Sequence, residues 1–146
     1  ITYTVVEHPG YVVIVPLLSD GRVVMERIYR YPLQRVALEC PSGCLDGEEP
    51  EVAARRELEE ETGYRANRLR WLGTYAGSSG ISDEEFSIFL ALDVRADGVL
   101  RREITEDIEI ELIPLSDLRA MTLRGEINDG SSALAILLAS ETVESE

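Results

Sequence analysis

The sequence predicts an α/β fold in which a mixed β-sheet is sandwiched between helices. Three observations carry this. Short apolar or alternating runs, each bounded by Gly, Pro or Asp, recur through the chain and read as strands. One helix-patterned segment lies early among them and a second, strongly apolar one closes the chain, which places a helix on each face of the sheet. The 146 residues, 45% of them hydrophobic, suffice for one core, so residues 1–146 are read as a single domain.

Thr2 to Glu7 alternates weakly and is expected to be a strand. Tyr11 to Leu18 is a strong apolar run, Ser19-Asp20-Gly21 is a turn, and Arg22 to Tyr31 reads as the returning strand of a hairpin. Val36 to Glu39 is a short strand stopped by Pro41 and Gly43, and an acidic loop, Asp46-Gly47-Glu48-Glu49, follows. Pro50 suits a first helical position, because its fixed φ fits and its missing N–H is not needed there. The helix then runs to Thr62, with Gly63 as its stop. Leu69 to Tyr75 and Phe86 to Val94 form a further strand pair around the Gly77–Ser82 loop. Ile108 to Ile113 alternates apolar and acidic residues, as a half-buried strand does. Ser116 is expected to cap a short helix, and Ser131 to Ser140 to form the last one.

A net charge of −14 argues against a nucleic-acid backbone as partner. No apolar run approaches the roughly 20 residues that span a bilayer, and no basic-then-apolar leader is present, so a cytoplasmic location is expected. All 14 basic residues are arginine. Cys40 and Cys44, with His8 as the only histidine, fall short of the four ligands of a structural zinc site and read as packed thiols. His8, beside Pro9, reads as structural.

The informative segment is Arg56-Glu57-Leu58-Glu59-Glu60-Glu61-Thr62-Gly63-Tyr64. At about 100° per residue, Glu60 and Glu61 fall within about 60° of Glu57, while Glu59 points the other way and is expected to be solvated. Like charges at these spacings cost a helix about 0.2–0.5 kcal/mol per pair. A divalent cation removes that repulsion, and carboxylates suit Mg²⁺ or Mn²⁺. A plain solvated glutamate face is the competing reading.

The spelling around these glutamates resembles the Nudix box, Gx5Ex7REUxEExGU with U a bulky apolar residue. Glu48, seven residues, Arg56-Glu57-Leu58, Glu60-Glu61, Gly63 and Tyr64 fit the pattern, whereas Gly43 precedes Glu48 by one residue fewer than it asks. The resemblance implies a loop–helix–loop that holds divalent cations against a diphosphate. Glu57, Glu60, Glu61 and the Ser42 carbonyl are then the metal ligands. Arg56 orients the glutamates, Glu48 supports the loop, and Gly43 and Gly63 serve the backbone.

His8-Pro9-Gly10, Tyr29-Arg30-Tyr31-Pro32, Leu38-Glu39-Cys40-Pro41-Ser42-Gly43 and Gly125-Glu126-Ile127 extend the similarity to the ADP-ribose pyrophosphatase branch, which splits ADP-ribose into AMP and ribose 5-phosphate. That branch implies a homodimer, while the charge and the short apolar runs lead us to expect no nucleic-acid or membrane partner. Residues 1–10 read, on the same resemblance, as the last strand of an N-terminal region. Arg30 is expected at the diphosphate or neighbouring ribose, Glu39 at a ribose hydroxyl or bracing the loop, and Gly80 at substrate. Ser78-Ser79-Gly80 stands where the branch usually has Ser-Pro-Gly, which keeps GDP-mannose and other nucleoside-diphosphate sugars open. The general base of the branch maps to Glu106 first and Glu103 second, with Glu60 as the alternative used in other branches. A catalytically silent nucleotide-sensing module and an acidic cation-binding or dimerisation domain are the non-enzyme alternatives.

Overall fold

Tyr11–Pro16 is apolar at every position because both of its faces are covered. The computed structural model, which describes residues 1–146, makes this β1 the centre of a four-stranded mixed sheet. Its neighbours are β4 (Ser42–Cys44), antiparallel, and β6 (Glu85–Arg95), parallel, with β5 (Arg65–Ala76) outside β6 in the order β4-β1-β6-β5. A second, antiparallel sheet has the order β3-β2-β7, from Arg35–Glu39, Arg22–Arg30 and Ile108–Pro114.

Side-chain alternation along β1 explains how helices cover the mixed sheet. Val12 and Ile14 pack on one side with Ala53, Ala54 and Leu58 of α1 (Pro50–Thr62). Val13 and Val15 pack on the other with Leu118 of α2 (Leu115–Leu123) and with Ala135, Ile136 and Ala139 of α3 (Gly130–Glu144). The helix–sheet–helix sandwich stands, and the smaller sheet adds Val23 and Met25 to the α3 side.

Three expectations require correction. The hairpin does not form: β1 and β2 share one isolated bridge, Leu17 with Val23, and then part into different sheets. The Ser19-Asp20-Gly21 turn reverses the chain, but β1 finds its partners in β4 and β6, whose pairing no local signal encodes. Thr2 to Glu7 forms no strand. Every residue in it is exposed, so no buried face enforces a register, and only Val6 bridges to Ser82. Ser116 is not a cap; Pro114 takes that position and Ser116 lies in the first turn of α2. The last helix begins at Gly130, where Asp129 supplies the cap by accepting from the Ser132 N–H. No helix is long and apolar enough to cross a membrane.

Candidate active site

The glutamates of α1 are presented by a helix with well-defined ends. Pro50 occupies the first turn, and Gly63, at φ +74°, closes the C-terminus by donating to the Glu59 carbonyl at 2.9 Å. Leu58 faces the sheet, which turns the other side of the helix toward a cleft of about 750 Å³. Glu57, Glu60, Glu61, Ser42, Gly43, Arg56, Arg30, Glu39, Glu103 and Glu106 all border it.

Glu57 packs onto the backbone of Gly43, where an added Cβ would lie 2.0 Å from the carboxylate carbon. Gly43 is therefore required for close approach, not for its φ. The loop reaches this position despite being one residue short of the box pattern. Asp46 and Gly47 both take positive φ, +51° and +80°, and the Glu48 N–H donates to the Leu45 carbonyl, as in a type I′ turn.

Arg56 is the hub. Its Nε donates to both oxygens of Glu48 at 3.1 and 3.2 Å, Nη1 to Glu57 and Glu60 at 2.6 and 3.3 Å, and Nη2 to the Cys44 carbonyl. Burial disfavours its charge, but the Glu57 and Glu48 carboxylates outweigh that and raise its pKa. Glu61 is buried and accepts one bond, from the Ser42 N–H at 3.3 Å. Burial pushes both Glu57 and Glu61 above the ordinary carboxylate value, and Glu61 is pushed further by Glu26 beside it.

These features test whether a cation fits. Two helix carboxylates held above their ordinary pKa by burial, with a further carboxylate against one of them, form a donor set of hard oxygens short of positive charge. No three acidic side chains are gathered at one point, so an ion held here would need water and substrate phosphates to complete its shell.

Glu59 points away from the cleft as its pitch requires, but it is not simply solvated. It accepts from the Val99 N–H at 3.3 Å and lies 3.8 Å from Arg65. The loop joining β6 to β7 is fastened along this end of α1. Arg101 N–H donates to the Glu60 carbonyl at 2.8 Å, and Arg102 donates through Nε to the Glu61 carbonyl and through Nη1 to the Ile108 carbonyl, both at 2.8 Å. This fastening carries Glu103 and Glu106 to the cleft. Glu106 is half-buried and accepts from the Glu103 N–H at 2.8 Å, whereas Glu103 is exposed.

Arg30 donates through Nε and Nη2 to Glu39 at 2.9 and 2.8 Å, a fork that aims the guanidinium and raises its pKa. Glu48 and Gly63 lie outside the cleft in supporting positions. Gly80 is not brought to the site: it sits on the exposed Gly77–Ser82 loop with nothing within 4 Å of a built Cβ. The two cysteines are free thiols, Cys40 buried and Cys44 at the cleft wall.

Sequence reasoning does not reach Glu26, Arg101, Arg102 or Asp129. Glu26 alone leaves a local signal, since it shares a strand face with Ile28 and Arg30, both of which border the cleft. The arginine pair and Asp129 are placed by loops whose course is fixed only by tertiary packing.

A carboxylate-bearing loop–helix–loop opening onto a cleft of an α/β/α sandwich defines the class of site. Comparison with known proteins supplies the family: the NUDIX domain matches residues 7–133, and the chain belongs to the Nudix family. It is 39% identical over 137 residues to an ADP-ribose pyrophosphatase of Bacillus subtilis (strain 168), covering 90% of this chain and 72% of that protein. It is 36% identical over 146 residues to an ADP-ribose pyrophosphatase of Mycobacterium tuberculosis, covering 98% and 70%. In fold it matches a solved ADP compounds hydrolase with a TM-score of 0.82, at 24% identity over 93% of this chain and 73% of that one.

Proposed function

We propose that this protein hydrolyses the diphosphate bond of ADP-ribose, giving AMP and ribose 5-phosphate, with Mg²⁺ or Mn²⁺ as cofactor. The observation that carries the reading is the convergence of Glu57, Glu60 and Glu61 on a cleft whose border includes one arginine without a protein partner. Arg30 and Arg56 are engaged by carboxylates, whereas no side chain pairs with the Arg101 guanidinium.

Glu57, Glu60, Glu61 and the Ser42 carbonyl would hold the cation. When bound, it neutralises the diphosphate oxygens and lowers the pKa of a coordinated water. Arg101, whose backbone is anchored on the Glu60 carbonyl at the border of the cleft, takes a phosphate oxygen. Arg30, aimed by Glu39, contacts the diphosphate or the adjoining ribose. Glu106 accepts the proton of the attacking water. It is favoured over Glu103 because it is half-buried at the cleft, whereas Glu103 is exposed.

The exposed apolar residues Tyr29, Tyr31, Leu33 and Val36 at the end of the β2–β3 ribbon support the homodimer that the family resemblance implies, in the cytoplasm. The function is tested by incubating the protein with ADP-ribose, GDP-mannose, dinucleotides and nucleoside triphosphates, with Mg²⁺ and with EDTA. Mg²⁺-dependent release of AMP from ADP-ribose in preference to the others is the expected result. Product from none of them contradicts the reading.

A further inference from the structure

Glu26 has none of the roles given above, and it is the ionisable group whose placement is least accounted for. It lies in the middle of β2, only 3% exposed, and its Oε1 is buried without a hydrogen-bond partner. Directly across the ribbon stands Glu39, whose carboxylate is taken by Arg30. Ile28 and Arg30, the next residues on the same face of β2, border the cleft, so Glu26 lies one step deeper along the same wall.

At that depth the Glu26 carboxyl faces Glu61 of α1. Glu61 receives a single donor, the Ser42 N–H. Arg102 is the neighbouring cation, but Nε and Nη1 are committed to the carbonyls of Glu61 and Ile108. Two acidic side chains thus meet in the interior, with one backbone N–H donated to Glu61 and none to the Glu26 Oε1. Burying such oxygens without a partner is costly, and the position would be filled more stably by a valine of the kind found at Val23 and Val24. A residue kept at this cost calls for a positive partner beyond the Arg102 guanidinium, which is already engaged by two carbonyls.

We propose that Glu26 is a ligand of the divalent cation and shares it with Glu61, so that the deep end of the metal site is built jointly by β2 and α1. Carboxylate oxygens suit Mg²⁺ or Mn²⁺, and the remaining positions of such an ion would be filled by water and phosphate. The inference rests on the reading that Glu61 holds a cation.

The test measures Mn²⁺ binding without substrate, by the electron paramagnetic resonance signal of free Mn²⁺, together with melting in EDTA and in Mn²⁺. Wild type is compared with Glu26→Gln, which keeps the shape, and Glu26→Val, which removes the oxygens. The proposal requires both variants to melt higher than wild type in EDTA. It also requires Mn²⁺ affinity to fall by at least about tenfold and the Mn²⁺-induced rise in melting temperature to shrink. Variants that melt higher in EDTA but keep wild-type Mn²⁺ affinity and the full Mn²⁺-induced rise would show that the pair merely shares a proton, and the proposal is overturned. Failure of wild type itself to bind Mn²⁺ is a different result, which overturns the metal assignment as a whole.

Discussion

Substituting Gly43 by alanine should disable the enzyme while leaving the fold almost untouched. A Cβ built on Gly43 lies 2.0 Å from the Glu57 carboxylate carbon and 2.4 Å from each of its oxygens. Non-bonded carbon atoms approach to about 3.5 Å, so the carboxylate must retreat by about 1.5 Å. The Gly43 backbone is not at positive φ, and the atoms struck are the end of a flexible side chain. The folding cost is therefore that of a displaced rotamer, about 0.5–1.5 kcal/mol. In a domain of this size that lowers the melting temperature by no more than about 6 °C. The chemical cost is larger, because a Mg²⁺–oxygen bond is only about 2.1 Å long and the retreat is most of that length. A misplacement of about 1 Å costs on the order of a hundredfold in rate. Gly43→Ala should accordingly lose at least about a hundredfold in kcat/KM for ADP-ribose, read by AMP release, and weaken Mn²⁺ binding. Adding Glu57→Asp, which shortens the acid by a methylene, should restore part of the loss. A single variant within about threefold of wild type would refute the argument that this contact sets the position of Glu57.

Three further outcomes are expected. Arg101→Ala should raise KM for ADP-ribose and weaken AMP binding, with melting temperature and Mn²⁺ affinity unchanged, because its guanidinium has no hydrogen-bond or ion-pair partner in the protein; unchanged KM would contradict its phosphate role. Glu106→Gln should cost more in kcat than Glu103→Gln; the reverse order would move the base to Glu103. Metal-free stability should fall as pH rises, because Glu26 has a folded-state pKa raised by burial from 4.5 to about 7, and Glu57 and Glu61 shift the same way. A carboxyl with a raised pKa binds its proton more tightly when folded. Its contribution is complete below about pH 4.5 and is lost as pH climbs through about 7. Melting in EDTA from pH 5 to pH 8 should show this decline, and Glu26→Gln should reduce it; a profile equally steep in the variant would contradict the cause assigned.

What was legible in the sequence is what depends on local geometry. The α1 boundaries and the side on which Glu57, Glu60 and Glu61 emerge follow from helical pitch, a first-turn proline and a terminal glycine, all within 14 consecutive residues. The strands of β1, β2, β3, β5, β6 and β7 carry their own hydrophobic patterns. Their pairing does not: the Ser19-Asp20-Gly21 turn looks like a hairpin turn whether or not its strands stay together, and here they part after Leu17 and Val23. Burial is the other quantity that local pattern leaves open. The strand pattern puts Glu26 on the face of Ile28 and Arg30, but only the tertiary fold buries it and sets it beside Glu61. Likewise Glu59 reads as solvated until the β6–β7 loop folds over it. Arg101 and Arg102 are two adjacent arginines in sequence, and only the fastened loop gives one a pair of carbonyls and leaves the other free in the cleft.

The most direct test of the account is the rate of AMP release from ADP-ribose and Mg²⁺ by Glu60→Gln and Glu61→Gln beside Glu59→Gln, each checked for an intact fold. The account predicts losses of at least about a hundredfold for the first two and a near-wild-type rate for the third, because only the first two place a charge in the cleft. Near-wild-type rates in Glu60→Gln and Glu61→Gln, or an equal loss in all three, would contradict it.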